Sequence, residues 1–167
     1  MNLIAEGLSK NPVVQQLSLT YCGITSEGGQ AIFNILIYQQ SHLIEIALSG
    51  NPLCNDGAIM VFRGMAAAKT ITTLYISDNQ FDDSEPVMDA LRLAMTKNKI
   101  CTNYDLRHNV LTDDGIEVLA SILKESPHIT KVGVSEWISA EALNVLNEAL
   151  GKNKPGKKKK GKKGKKK

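Results

Sequence analysis

"LIEIALSGNPLCNDG" occupies residues 43–57. Ile46 and Leu48 alternate with Glu45, Ala47 and Ser49, the two-residue period of a short strand with one covered face. The period then stops: Asn51 stands between leucines, Leu53 follows, and Gly57 closes the stretch. An asparagine has a use where a chain turns away from a sheet inside a folded coil. The turning backbone leaves amide and carbonyl groups that must find partners, and the side-chain amide can both donate and accept.

The arrangement recurs. Val14, Leu17, Leu19, Cys22, Ile24 and Gly28 have the same relative spacing as Leu43, Ile46, Leu48, Asn51, Leu53 and Gly57. Ile71, Leu74, Ile76, Asn79 and Phe81 repeat it, with Glu85 in the glycine place. Cys101, Tyr104, Leu106, Asn109, Leu111 and Gly115 follow, and a fifth copy opens as Ile129, Val132, Val134 before Trp137 takes the asparagine place. Units beginning near 14, 43, 71, 101 and 129 imply a solenoid, in which each unit buries its apolar face only against its neighbours. Stacked asparagines then form a structural ladder of Asn51, Asn79 and Asn109. Cys22 is expected to fill that place more weakly with an inward thiol, and Trp137 to end the ladder where no following turn needs a partner.

Each turn should feed a helix of about three turns, with Ser26, Asn55, Ser84, Thr112 and Ser139 as N-caps. In "IEVLASIL" (116–123), Ile116, Val118, Leu119, Ile122 and Leu123 fall at helical spacing. Pro86 fits a first helical turn, where its missing amide is harmless.

These motifs resemble the leucine-rich repeat family, particularly the long subclass typified by ribonuclease inhibitor. The resemblance covers roughly 14–150, and "LIAEGLSKNP" looks like the helical half of an earlier unit, so the array is expected to begin mid-unit. It implies an α/β fold: a curved leucine-rich repeat solenoid, a right-handed β-α superhelix with parallel concave strands and convex helices. The family commonly binds proteins on its concave face. Here that face would carry Tyr21, Glu45, Tyr75, Asp78, Asn103, Asp105, Arg107, His108 and Lys131. Tyr75, Asp105, Arg107 and His108 are the favoured anchors, because aromatic and arginine side chains dominate interfaces.

The totals agree with one such domain over 1–150. The chain has 167 residues and 43% hydrophobic content, but only one Trp, four Tyr and three Phe, so its core must be largely aliphatic. Cysteines at 22, 54 and 101 show no CxxC spacing and point to a reducing compartment. The opening residues lack a secretion signal and no segment has the length of a membrane span. The expectation is a soluble, cytoplasmic protein, with cytoskeleton, cilium or nucleus as specific locations.

The net charge of +3 conceals an asymmetry. Eleven of the 20 basic residues lie in "GKNKPGKKKKGKKGKKK" (151–167), leaving nine bases against all 17 acids in 1–150. That tail lacks large apolar residues, and is read as disordered. Lys157, Lys158, Lys159, Lys160, Lys162, Lys163, Lys165, Lys166 and Lys167 would recognise a polyanion by charge density. Lysine supplies neither the forked hydrogen bonding of arginine nor base stacking. Tubulin tails are the favoured target, nucleic acid a further one, and anionic membranes are physically suitable too. Contact with the acidic body is the plainer reading.

Catalytic and metal chemistry finds little support. Gly151–Lys158 matches the phosphate-loop spacing, but Lys158 stands where Ser or Thr is required and no helix-forming stretch follows. Cys101, Asp105 and His108 do not make a triad, since Cys101 takes an inward place and Asp105 an outward one. "DNQFDDSE" (78–85) lacks the glycine and ligand spacing of a calcium loop, and no Cys/His zinc spacing occurs. No cofactor is expected.

The reading is therefore a non-enzymatic interaction adaptor or structural subunit whose tail docks on an acidic assembly. Short repeat proteins with lysine-rich ends are similar to components of ciliary axonemes. An RNA- or ribosome-associated factor is the alternative, and a small-GTPase regulator the third reading.

Overall fold

The computed structural model describes residues 2–9, 11–38 and 42–153. Helix α1 (Asn2–Ser9) leads into five strand–helix units. The strands are β1 (Gln16–Ser18), β2 (Glu45–Ala47), β3 (Thr73–Tyr75), β4 (Asn103–Asp105) and β5 (Lys131–Gly133). They alternate with α2 (Gly29–Ile37), α3 (Cys54–Ala67), α4 (Glu85–Lys97), α5 (Asp113–Glu125) and α6 (Ala140–Asn153). A 3-10 turn over Ser26–Gly28 precedes α2.

The strands form one parallel sheet in sequence order, and their register repeats the spacing of the sequence: Gln16, Glu45, Thr73, Asn103 and Lys131 are mutual neighbours in one row. The next row inward is Leu17, Ile46, Leu74, Tyr104 and Val132, and the third is Ser18, Ala47, Tyr75, Asp105 and Gly133. Strands stand about 4.8 Å apart, whereas packed helices need about 8–10 Å. The helical layer is therefore the outer one and the sheet the inner. This is the α/β repeat solenoid.

Aliphatic side chains fill the space between the layers. Ile46, Leu48, Leu53, Leu74, Ile76, Leu106 and Leu119 are fully covered, and Phe62 meets Phe81 edge-on at 5.6 Å. Ile116, Leu119, Ile122 and Leu123 of α5 are buried as their spacing predicts, but Val118 lies on the outer face. Helices α2 and α3 approach so closely that a Cβ on Gly29 would stand 2.9 Å from the Cα of Gly57. Thus Gly29, one residue past the aligned Gly28, is the residue that faces Gly57.

The asparagine ladder runs in one direction: each rung reaches back to the preceding turn. Asn51 Oδ1 accepts the amides of Cys22 and Ile24, each at 3.0 Å, while its Nδ2 donates to the carbonyls of Leu19 and Leu48. Asn109 Oδ1 accepts the Asn79 amide at 2.8 Å, and its Nδ2 donates to Ile76 and Leu106. Asn79 donates to Leu48 and Ser77, but its buried Oδ1 has no partner. The turn it faces is folded on itself: the Leu53 amide bonds the Asn51 carbonyl and Cys54 adopts φ +51°.

Two expectations change as a result. Cys22 is not a weak rung: its side chain is exposed, with Sγ 3.5 Å from the Thr20 carbonyl, and only its backbone amide joins the ladder. No described turn precedes Cys22, so nothing in the described fold needs an amide there. Trp137 is 61% exposed and does leave the ladder, but not because a following turn is lacking. A rung at that place would serve the turn before it. Beside that place the Ser135 hydroxyl accepts the His108 amide at 2.6 Å, where the corresponding amides of Tyr21, Gly50 and Asp78 bond backbone carbonyls of the next unit.

The caps also differ in part. Thr112 and Ser139 accept the amides of Gly115 and Ala142. Ser84 occupies the cap place of α4 without a side-chain cap bond, and Pro86 lies in the first turn. Ser26 lies within the 3-10 turn, and α3 starts at Cys54, one residue before Asn55. Asn55 is instead a bridge between units, donating to the Asp82 carboxylate and accepting the Asp82 amide.

A second set of rungs closes the opposite edge of the solenoid, and the sequence reading missed it. Asn98 Nδ2 donates to Met65 and Ala68, Ser126 Oγ to Met95, and Asn153 Nδ2 to Leu123 and Ser126. All of these acceptors are carbonyls at or just beyond the end of the preceding helix, groups that a helix cannot satisfy by itself. The signal was present as the recurring Lys-Asn pairs at 10–11, 97–98 and 152–153. Helix α6 accordingly continues through Asn153, three residues past the expected domain limit at 150.

Candidate functional site

The inner face of the sheet is built from the outward places of each strand and the residues just after it. The outward residues of β3, β4 and β5 converge on a shallow depression of about 220 Å³. Tyr75, Asn103, Asp105, Arg107 and Lys131 all line it, together with Thr73 and Gly133. Tyr21, Glu45, Asp78 and His108 stand outside it on the same inner surface or at its rim.

The centre of the depression is an ion pair. Arg107 Nε and Nη2 donate to Asp105 Oδ1 and Oδ2 at 2.8 and 2.7 Å, and the Arg107 backbone amide adds a bond to Oδ1 at 3.2 Å. The two residues are separated by one, so both side chains leave the same face of the strand. Burial pushes the Asp105 carboxyl up, but the Arg107 contacts outweigh it and hold the group below the usual aspartate value. The guanidinium is raised in turn, chiefly by the same hydrogen bond. Gly133 leaves room for this pair, since a Cβ there would stand 3.1 Å from Asp105 Oδ1. Asn103 also bonds the Thr73 hydroxyl at 3.3 Å.

Three residues past the end of each of β1 to β4, the chain bends away from the sheet. Tyr21, Gly50, Asp78 and His108 have φ of +52, +72, +53 and +58°, the left-handed region that suits Gly, Asp, Asn and His better than other residues. Backbone demand, and not only surface chemistry, thus bears on Asp78 and His108. Tyr21 lies over Gly50, where a Cβ would come within 2.1 Å of its ring. His108 lies against Trp137, ring centroids 5.8 Å apart. Trp137, 61% exposed, completes this aromatic corner, which the sequence reading did not include among binding residues. Its signal was a tryptophan at a place that elsewhere carries asparagine.

Many of the remaining polar groups have structural partners, although the Tyr104 hydroxyl and His128 Nε2 are buried without a hydrogen bond. Cys101 is buried, which pushes its thiol up to about 11. Tyr104 beside it is raised by burial first and then by Cys101. Asp82 accepts from Ser84 and Asn55, Asp83 from Thr112, and Asp113 from Ser139. The acids of 78–85 are thus largely used at helix starts. Among the described residues no group of His, Cys, Asp or Glu could hold a metal ion, and no helix is long and apolar enough to cross a membrane. The lysines proposed for polyanion binding, Lys157 to Lys167, lie outside the described residues.

A family model described as leucine-rich repeat matches residues 10–33 and 105–120. NACHT, LRR and PYD domains-containing protein 5 of Homo sapiens is 29% identical over 113 residues, which are 67% of this chain and 9% of that protein. Protein 9 of the same designation from Bos taurus is 29% identical over 118 residues, 69% of this chain and 12% of the relative. The chain therefore spans about a tenth of the length of these relatives. Among solved structures, leiomodin-1 actin-binding site 2 superimposes with a TM-score of 0.79 at 19% identity, covering 89% of this chain and 86% of that one. The tropomodulin C-terminal domain of Caenorhabditis elegans gives 0.70 at 16% identity, covering 89% and 92%.

Proposed function

We propose that this chain, which belongs to the leucine-rich repeat family, is a non-catalytic adaptor or structural subunit: its inner sheet face binds a protein, and its lysine tail docks on an acidic assembly. The reading rests chiefly on the Tyr75–Asp105–Arg107–Lys131 depression. A guanidinium fixed by its neighbour is preorganised and loses little freedom on binding, and an adjacent tyrosine adds contact area, as anchors of interfaces do. The tail contributes charge density without base-stacking groups, which favours an acidic protein surface such as a microtubule, including that of an axoneme, over sequence-specific nucleic-acid recognition.

A second reading makes the filament actin. It is favoured by the likeness to leiomodin-1 actin-binding site 2 along 89% of this chain.

Co-sedimentation of the full chain with microtubules, filamentous actin and RNA, each across a salt series, separates these targets. The expected result is salt-sensitive pelleting with one filament that weakens when residues 154–167 are removed. Pelleting unaffected by that deletion at low salt refutes the role of the tail. Crosslinks to a partner that map only to the outer helices refute the role of the inner face.

A further inference from the structure

We infer that the depression between β3 and β5 is a receptor for a carboxylate presented by an acidic segment of the protein partner. The inference deepens the proposed use of the inner face and rests on it. Three observations carry it.

The first is charge. The described body is acidic, yet Arg107 and Lys131 line one depression in which Asp105 is the one acid, with Glu136 outside that lining but near enough to act on Arg107. Glu45 shares a row with Lys131 but stands three strands away, a separation of about 14 Å. The second is unused donor capacity. Asp105 engages Arg107 through Nε and Nη2, which leaves Nη1 for an incoming oxygen, and Lys131 is exposed with no partner among the described residues. A guanidinium can hold one carboxylate side-on and accept a second end-on, because its five N–H groups lie in a fixed plane. The third is space. The absent side chain at Gly133 opens the floor between the two cations. A volume of about 220 Å³ is below the range of roughly 300–1,000 Å³ for sites that enclose a small molecule. It suits one side chain.

The test is a titration of the full chain, followed by amide shifts in nitrogen–proton NMR spectra, with an end-blocked hexaglutamate peptide. The matching hexaglutamine peptide and a hexaglutamate with a free C-terminus complete the set. Expected are saturable shifts at Thr73, Asn103, Lys131 and Gly133 with hexaglutamate and none with hexaglutamine. Binding read at those amides should weaken about fivefold in Lys131→Ala, an exposed position whose truncation leaves the core intact. Tighter binding of the free C-terminus would assign the carboxylate to a chain end; equal binding would assign it to a side chain. Shifts confined to the lysine tail, or no shifts, overturn the inference. Equal shifts with hexaglutamine overturn the carboxylate preference while leaving the inner face as a binding surface.

Discussion

Asn109 joins two turns of the solenoid by accepting the backbone amide of Asn79 at 2.8 Å, while its own amide donates to the Ile76 and Leu106 carbonyls. All of this happens where the asparagine is 1% exposed. Removing the side chain strands several buried groups at once, each at about 1–3 kcal/mol. Asn109→Ala should therefore cost about 3 kcal/mol or more, and Asn51→Ala a similar amount. Asn79→Ala should cost measurably less, because its Oδ1 already lacks a partner. Urea unfolding of the three variants checks the order, and equal losses would contradict the unequal rungs.

The contact of Gly29 with Gly57 sets the spacing of α2 and α3. Gly29→Ala must force the helices apart, since its Cβ would stand 2.9 Å from the Gly57 Cα, and should destabilise by about 1–3 kcal/mol. Gly151, also helical, has nothing within 4 Å of a built Cβ. There the same exchange should stabilise by about 0.5–1 kcal/mol, through the lower chain entropy of alanine. Opposite shifts of the thermal midpoint are expected.

Acid should weaken the fold in two separable steps. Burial, then the charge of Lys99, lowers the His128 pKa. The unfolded chain therefore takes up that proton first, and stability falls as pH drops through and below about 6.5. Asp82 and Asp113 are lowered by hydrogen bonds, from Ser84 first and from Ser139 first respectively. Their contribution is complete above their unfolded value of 3.8 and is lost as pH falls through the depressed folded values. His128→Gln should flatten the upper step alone, and Asp82→Asn with Asp113→Asn the lower one, in unfolding midpoints measured from pH 8 to 3.

Thiol labelling should divide the cysteines. Cys22 and Cys54 are exposed, whereas Cys101 is buried with its thiol pushed up to about 11. Iodoacetamide at neutral pH should modify the first two in the native protein and Cys101 only after unfolding, since the thiolate is the reactive form. Mass spectrometry of timed digests resolves the three sites.

The period, the parallel rows and the inner-face places were legible because they follow from spacing alone. Glu45, Thr73 and Asn103 could be set side by side by counting from each leading apolar residue. The direction of the ladder was not legible, because a list of asparagines does not say which neighbour each one serves. Ser26 and Asn55 have the chemistry of caps, yet a competing partner or a shift in the turn used them otherwise. Val118 obeyed the apolar period but fell on the outer side. At the inner face, the presence of Arg107 and Asp105 was readable two residues apart. The room supplied by Gly133 and the pairing of His108 with Trp137 required neighbours 26 and 29 residues away along the chain.

Rungs that point backward give the array a grammar for growth. A unit appended behind α6 would bring its own amide to serve the turn around Trp137, and could be joined with little redesign of what is already there. A unit spliced in ahead of β1 would find a cysteine where its turn wants an amide. The protein engineer who lengthens this solenoid from that end should write asparagine at position 22 first.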